Sequence, residues 1–349
     1  MKQIIKIVLP VVFLLTIVSC NNDDWSFPDY DYTTVYFAYQ SPVRTLVLGD
    51  YDLTDNTKDN NLQFSIGVRM GGVYANNEDR TVQFEIDESL VDNLINGDTG
   101  EEVVILPQSY YTLSSAGAIT IPEGQTDGYV DVQLTQNFLN DTMAHTVYYV
   151  IPLRITSSQT DSILAGKPTV EDPDPRVATD WEIAPKDYTL YGIKYINAYH
   201  GKYLHRGKDI LKDANGNVIE EIVYREKYIV DDEIWHLQTK SKNQVQVSSV
   251  LRRSAGGTSD DGMTMLLTFS DNNTCTITDA EESSYPITGS GKFVTDGDEW
   301  GGKDRDAIYI NYEVNDMTNN EVHTITDTLV LRDRDVRLEE FAPVVQEKE

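Results

Sequence analysis

Apolar residues in this chain return at every second position in short runs broken by turn residues, and that period confines most of it to β-strands. Val35, Phe37 and Tyr39 alternate with Thr34, Tyr36 and Ala38, and Leu62, Phe64, Ile66 and Val68 repeat the pattern. Val82-Phe84-Ile86, Ala118 to Ile121, Val130-Val132-Leu134 and Val147 to Thr156 follow, with one short helix predicted over Glu88 to Ile95. Seven or so short strands within residues 33–158 imply an immunoglobulin-like β-sandwich.

A second block, residues 187–342, is again strand throughout. Ile222, Tyr224, Tyr228 and Val230 share one predicted face; so do Met263, Met265, Leu267 and Phe269, and likewise Ile308, Ile310, Tyr312 and Val314. Turn signals recur at Asp213 to Asn217, Asp231-Asp232, Ser270 to Asn273 and Asn315 to Asn320. Successive hairpins of this kind favour an antiparallel meander closed into a lipocalin-like β-barrel, which leaves no exposed edge. Trp235, in step with Leu237, is predicted to face its core. Between the blocks, Pro168, Pro173, Pro175 and Pro185 mark residues 159–186 as a linker to which Trp181 is an anchor, and residues 343–349 read as a polar tail.

The N-terminus carries a separate message. Lys2 and Lys6 precede an apolar run from Ile7 to Val18 that ends in Ser19-Cys20. A run this short does not span a bilayer, and a basic start with a small residue before the break fits a secretory signal at residues 1–19. A cysteine directly after that residue is what lipoprotein processing acylates. Cys20 is therefore the expected lipid attachment point and residues 20–32 an acylated tether. Loss of the two lysines takes the net charge from −29 to −31. So acidic a chain repels phosphate backbones and anionic headgroups, so nucleic acid is not an expected partner and membrane contact should come through lipid alone. After acylation Cys275 is the remaining cysteine, which excludes an internal disulfide; beside Ile277 on a strand it reads as a small buried residue.

Three segments carry a family resemblance: Pro107 to Ser115 (PQSYYTLSS), Ile119 to Gly124 (ITIPEG) and Tyr149 to Thr156 (YVIPLRIT). They resemble an N-terminal domain of uncharacterised Bacteroidetes lipoproteins. Asp187 to Tyr191 and Lys194 to Leu204 look like its companion C-terminal domain. Such proteins occur in polysaccharide-utilisation systems, beside outer-membrane glycan importers, and the N-terminal domain also occurs fused to glycoside hydrolases. The acidic stretch Asn21 to Asp24 resembles the export signal that sends such lipoproteins to the outer face. The resemblance thus implies a surface protein in a carbohydrate setting, with an importer or a neighbouring glycosidase as partner.

Catalytic and metal signatures are weak. Phe84 to Glu88 approaches a Glu-x-Asp-x-Glu glycosidase pattern, but Glu85 and Asp87 share a face that Glu88 does not, and a paired-carboxylate mechanism needs its groups at a defined separation across the sugar. His200 and His205 fall on opposite strand faces, and the acids from Asp50 to Asp59 read as a polar loop rather than a calcium site. No cofactor or metal is expected. Aromatic residues are the better candidates, because sugars stack their C–H faces on such rings. Trp300 lies in the turn-rich run Asp296 to Asp304, flanked by Asp298 and Glu299 as hydrogen-bonding carboxylates; Tyr199 and His200 form a second candidate that equally suits a structural corner. The expectation is a non-catalytic, lipid-anchored surface protein that binds glycan. The alternatives are an adhesion protein that binds another envelope protein, and a glycoside hydrolase.

Overall fold

The computed structural model describes residues 30, 32–253, 257–258, 262–281 and 283–346; the expected signal segment, Cys20 and most of the expected tether lie outside them. The protein is nearly all β: an immunoglobulin-like sandwich joined to a closed antiparallel barrel.

The sandwich uses β1 (Thr34–Tyr36), β2 (Pro42–Val47), β3 (Gln63–Gly71), β4 (Arg80–Ile86), β5 (Tyr111–Leu113), β6 (Ala118–Ile121), β7 (Asp127–Leu134), β8 (Tyr149–Ser158), β9 (Ser162–Ile163) and β10 (Tyr188–Ile196). One sheet has the order β9-β1-β3-β7-β5; the other runs β2-β10-β8-β4-β6. The inward set Phe64, Ile66, Val68, Val82, Phe84, Val130, Val132, Ile151 and Leu153 closes the space between them, as the period of two requires. Glu88–Val91 is a single 3-10 turn rather than the predicted longer helix, since Leu94–Asn96 already pairs as a strand.

The barrel comprises β11 (Gly201–Asp213), β12 (Val218–Tyr224), β13 (Glu233–Ser241), β14 (Gln244–Ser249), β15 (Met263–Phe269), β16 (Thr274–Asp279), β17 (Ile287–Trp300), β18 (Lys303–Asp316) and β19 (Glu321–Asp333). Each pairs with the next except that β11 pairs with both β12 and β13, and β11 with β19 closes the ring. The predicted inward sets on β15 and β18 fill the core, with Trp235 and Cys275. The Ile222-to-Val230 face does not: β12 overhangs the barrel and ends at Tyr224, and Tyr228 and Val230 are exposed.

The domain boundaries differ from the sequence expectation in three places. β10, assigned to the second block, pairs antiparallel with β8 and parallel with β2, so it completes the sandwich. Within the expected linker β9 pairs with β1, and Lys167–Pro168 pairs with Trp181–Ile183; Trp181 donates its indole N–H to the Asp174 carbonyl at 2.8 Å. The end of the chain departs as well: Glu339–Glu340 (β20) and Phe341, expected in the barrel block, join β2 and a satellite core with Leu90, Val150 and Leu190 respectively, and Pro343–Val345 of the expected tail pairs with Leu94–Asn96. Phe341, 4 % exposed, gives this segment apolar area to bury, which outweighs its charged flanks.

Arg334 fixes the junction. It is 4 % exposed and donates to four carbonyls: Leu48 at 3.0 Å and Asp50 at 2.8 Å from the sandwich, and Asn197 at 2.6 Å and His200 at 2.8 Å from the connection. Asn197 adds donations to Ser241 and Gln244 of the barrel. A planar cation with five donors suits a convergence of carbonyls, so the two domains are held as one unit.

Candidate functional site

Trp300 ends β17 in a hairpin, with Gly301 and Gly302 at φ +64° and +72° supplying the left-handed turn that β-branched or bulky residues resist. The tryptophan is half-buried. The Arg305 guanidinium lies 5.0 Å from its ring centroid and reaches Asp52 of the sandwich at 3.4 Å. One ring face is thus engaged in docking the hairpin on the first domain. Asp298 accepts from the Glu299 N–H at 2.8 Å, and Glu299 is exposed beside it.

Tyr199 stacks on Phe269 with centroids 3.7 Å apart and meets Phe293 edge-on at 5.2 Å. It packs, half-buried, against the barrel core. His200 separates from it. Its Nδ1 accepts the Thr239 N–H at 3.1 Å, and burial with nearby Arg334 holds its pKa down to about 4. The Asp87 carboxylate is occupied structurally, accepting from Ser89 and from Arg154 Nε at 2.6 Å. Asp59 is buried and takes Arg44 and the Val47 N–H. Among the described residues no three His, Cys, Asp or Glu side chains stand where they could hold a metal ion.

Two features were missed by the sequence reading. The first is a cleft of about 560 Å3 where the two sheets of the sandwich diverge between β3 and β2. Tyr191 and Phe37 form its floor, Tyr39 and Tyr129 its rim, and Arg44, Ser65 and Thr189 add polar groups. Tyr39 is 50 % and Tyr129 57 % exposed, and Tyr191 stacks on Phe64 beneath the cleft at 5.7 Å and an interplanar angle of 5°. The Tyr129 hydroxyl is bonded to Asp127, which raises its pKa and steadies the ring. The available signal was parity: Tyr129 falls out of step with Val130, Val132 and Leu134, so a large ring had to stand on the outer face.

The second is a polar cluster inside the barrel. His205 stacks on Trp235 at 3.7 Å, with Nδ1 3.1 Å from Glu233 and Nε2 3.1 Å from Asp327 but poorly aligned for a hydrogen bond. Tyr312 donates to Asp327 at 2.8 Å and Tyr224 donates to its other oxygen. Farther along, His323 Nδ1 lies 2.7 Å from Asp209. A β-carbon at position 207 would lie 1.9 Å from Asp327 Oδ1, so Gly207 makes room for the carboxylate. His205, Asp209, His323 and Asp327 are each at most 2 % exposed, and the network ties five strands together, β11, β12, β13, β18 and β19, in a low-dielectric interior. Parity again was the signal, with His323 and Asp327 alternating with Ile325 and Leu329 on the inner face.

A family model described as an N-terminal domain matches residues 30–162, and one described as a domain of unknown function, DUF5627, matches residues 198–335. Among solved structures, a Bacteroides ovatus protein of unknown function is 40% identical, with 91% of this chain and 100% of that chain covered and a TM-score of 0.83. A B. ovatus multidomain protein including DUF1735 is 11% identical over 88% of this chain and 100% of that one, with a TM-score of 0.40. A candidate carbohydrate-binding protein from B. ovatus is 13% identical over 85% and 98%, with a TM-score of 0.28. Similarities as low as the last two establish no shared fold. Nothing among curated proteins matches.

Proposed function

We propose, for a chain that belongs to the same family as the Bacteroides ovatus protein of unknown function, a non-catalytic role in binding glycan at the cell surface. The observation that carries this reading is the sandwich cleft: about 560 Å3 of groove with tyrosine rings on floor and rim and hydrogen-bonding groups between them. Sugars present both apolar C–H faces and hydroxyls, and a wide, half-open groove with aromatic walls and a few polar groups suits both. The lipidation sequence at Cys20 supports an outer-membrane anchor, with the barrel and the sandwich acting as a rigid head and an importer or glycosidase as the neighbour it serves.

Trp300 with Asp298 and Glu299 remains the second reading for the same role, favoured by its place at a hairpin tip. Arg305 on its ring makes it the poorer platform. Screening the full chain against plant, host and microbial oligosaccharides, with product analysis alongside, tests the function. Binding without cleavage supports it. Cleavage would favour the hydrolase, and a folded protein that binds no sugar would favour adhesion to another envelope protein.

A further inference from the structure

A second groove of about 380 Å3 lies at the domain junction, between β10 of the sandwich, β13 of the barrel and the segment leading to β20. Lys194, Lys240, Arg337, His145 and His200 line it, an unusual concentration of basic groups in a chain of net charge −29. Its two acids are already engaged: Glu339 pairs with Lys194 and Asp335 with Lys202, both at 2.5 Å. Among the described residues Lys240 and Arg337 have no ion pair. With Nδ1 accepting from Thr239, neutral His200 carries its proton on Nε2 and is a further donor. Burial holds the pKa of both histidines down, and cations outnumber acids around them: Arg334 and Lys194 against Asp335 at His200, Lys240 and Lys194 against Glu101 at His145. The local potential is therefore positive. Thr45, Val336 and Arg337 also line the tyrosine cleft, so the two grooves meet at this strap.

We infer that the glycan is acidic, its uncharged rings seated in the tyrosine cleft and its carboxylate or sulfate group held at the junction by Arg337, Lys240 and His200. The inference rests on the glycan-binding reading and specifies its ligand class. A guanidinium offers paired donors to an oxyanion and a lysine adds a point charge, while an acidic surface elsewhere penalises any anion that misses the groove.

The test is a calorimetric titration of the full chain with three oligosaccharides of equal length, one built of uronic acids, one sulfated and one neutral. At low salt the acidic ligand that fits should bind about tenfold more tightly than the neutral one, an advantage that shrinks in about 0.5 M sodium chloride. The uronate and sulfate arms separate the two sources of the anion. Lys240→Gln should reduce the acidic-to-neutral ratio, and the His200 ring should titrate at higher pH when the acidic ligand is bound. Equal affinity for neutral and acidic sugars, or a ratio unchanged in Lys240→Gln, overturns the inference and leaves the glycan reading intact. No binding by any of the three, with the protein folded, overturns both.

Discussion

The ring of Tyr129 lies across Gly67 on the neighbouring strand, with its Cε1 2.7 Å from where a β-carbon at 67 would stand. A glycine inside a strand costs stability, and here a ring covers the bare backbone it leaves. The pairing also aims the ring along the rim of the cleft.

Gly67→Ala should therefore push the Tyr129 ring aside, against its bond to Asp127, without unfolding the sheet, because the close contacts are with an exposed side chain rather than with backbone. Glycan affinity should fall severalfold while the melting temperature stays within a few degrees. Binding isotherms and thermal melts of the same sample check it; unchanged affinity would mean that the ring's position is irrelevant.

Tyr199 packs against Phe269 and Phe293. Tyr199→Ala should cost about 3–5 kcal/mol, as large-to-small changes in packed aromatic sites do. Sugar affinity measured below the transition should be retained. Denaturant unfolding followed by titration distinguishes this from a binding role, in which affinity falls and stability holds.

Arg334→Met keeps the aliphatic bulk but orphans carbonyls at positions 48, 50, 197 and 200. The expected loss is about 3 kcal/mol or more, because buried acceptors are left without donors. The domains should also become independently cleavable. Limited proteolysis near residues 196–201 reads the second effect; resistance equal to the parent would contradict the clamp.

Two histidines give opposite pH dependences. Burial opposes the charge of His205, but the attraction of the Asp327 and Glu233 carboxylates, each 3.1 Å from a ring nitrogen, outweighs it, and the pKa is raised above 6.5. Its stabilising contribution is complete below the unfolded value and is lost as pH rises through the folded one. His200 is lowered to about 4, chiefly by burial. Its contribution is complete above about 6.5 and lost as pH falls toward 4, on the order of 3 kcal/mol in all. His205→Gln should flatten the alkaline side of the stability profile and His200→Gln the acid side. Urea midpoints across about pH 4 to 9 decide, and profiles parallel to the parent's would refute the assignment.

Strand content, the closed barrel and the inward sets on β15 and β18 were legible because period two translates directly into faces. The membership of β10 was not: its alternation is the same in either domain, and what assigns it is parallel pairing with β2, some 150 residues earlier. Trp300 stood out because its neighbours in sequence are polar, yet Arg305 covers it from across a hairpin and joins it to Asp52. Tyr39, Tyr129 and Tyr191 were individually visible, but only the divergence of two sheets brings them round one cleft. Cys275 was read correctly as buried, and burial raises its thiol to about 12.

The most direct test takes the tightest-binding oligosaccharide from the screen and compares the full chain with Tyr129→Ala and Trp300→Ala by calorimetry. Loss of about tenfold in affinity, ~1.4 kcal/mol, in Tyr129→Ala with Trp300→Ala within about twofold of the parent is the result expected of the cleft. The reverse order would move the site to the hairpin, and equal affinities in all three proteins would contradict the cleft as the place where sugar binds.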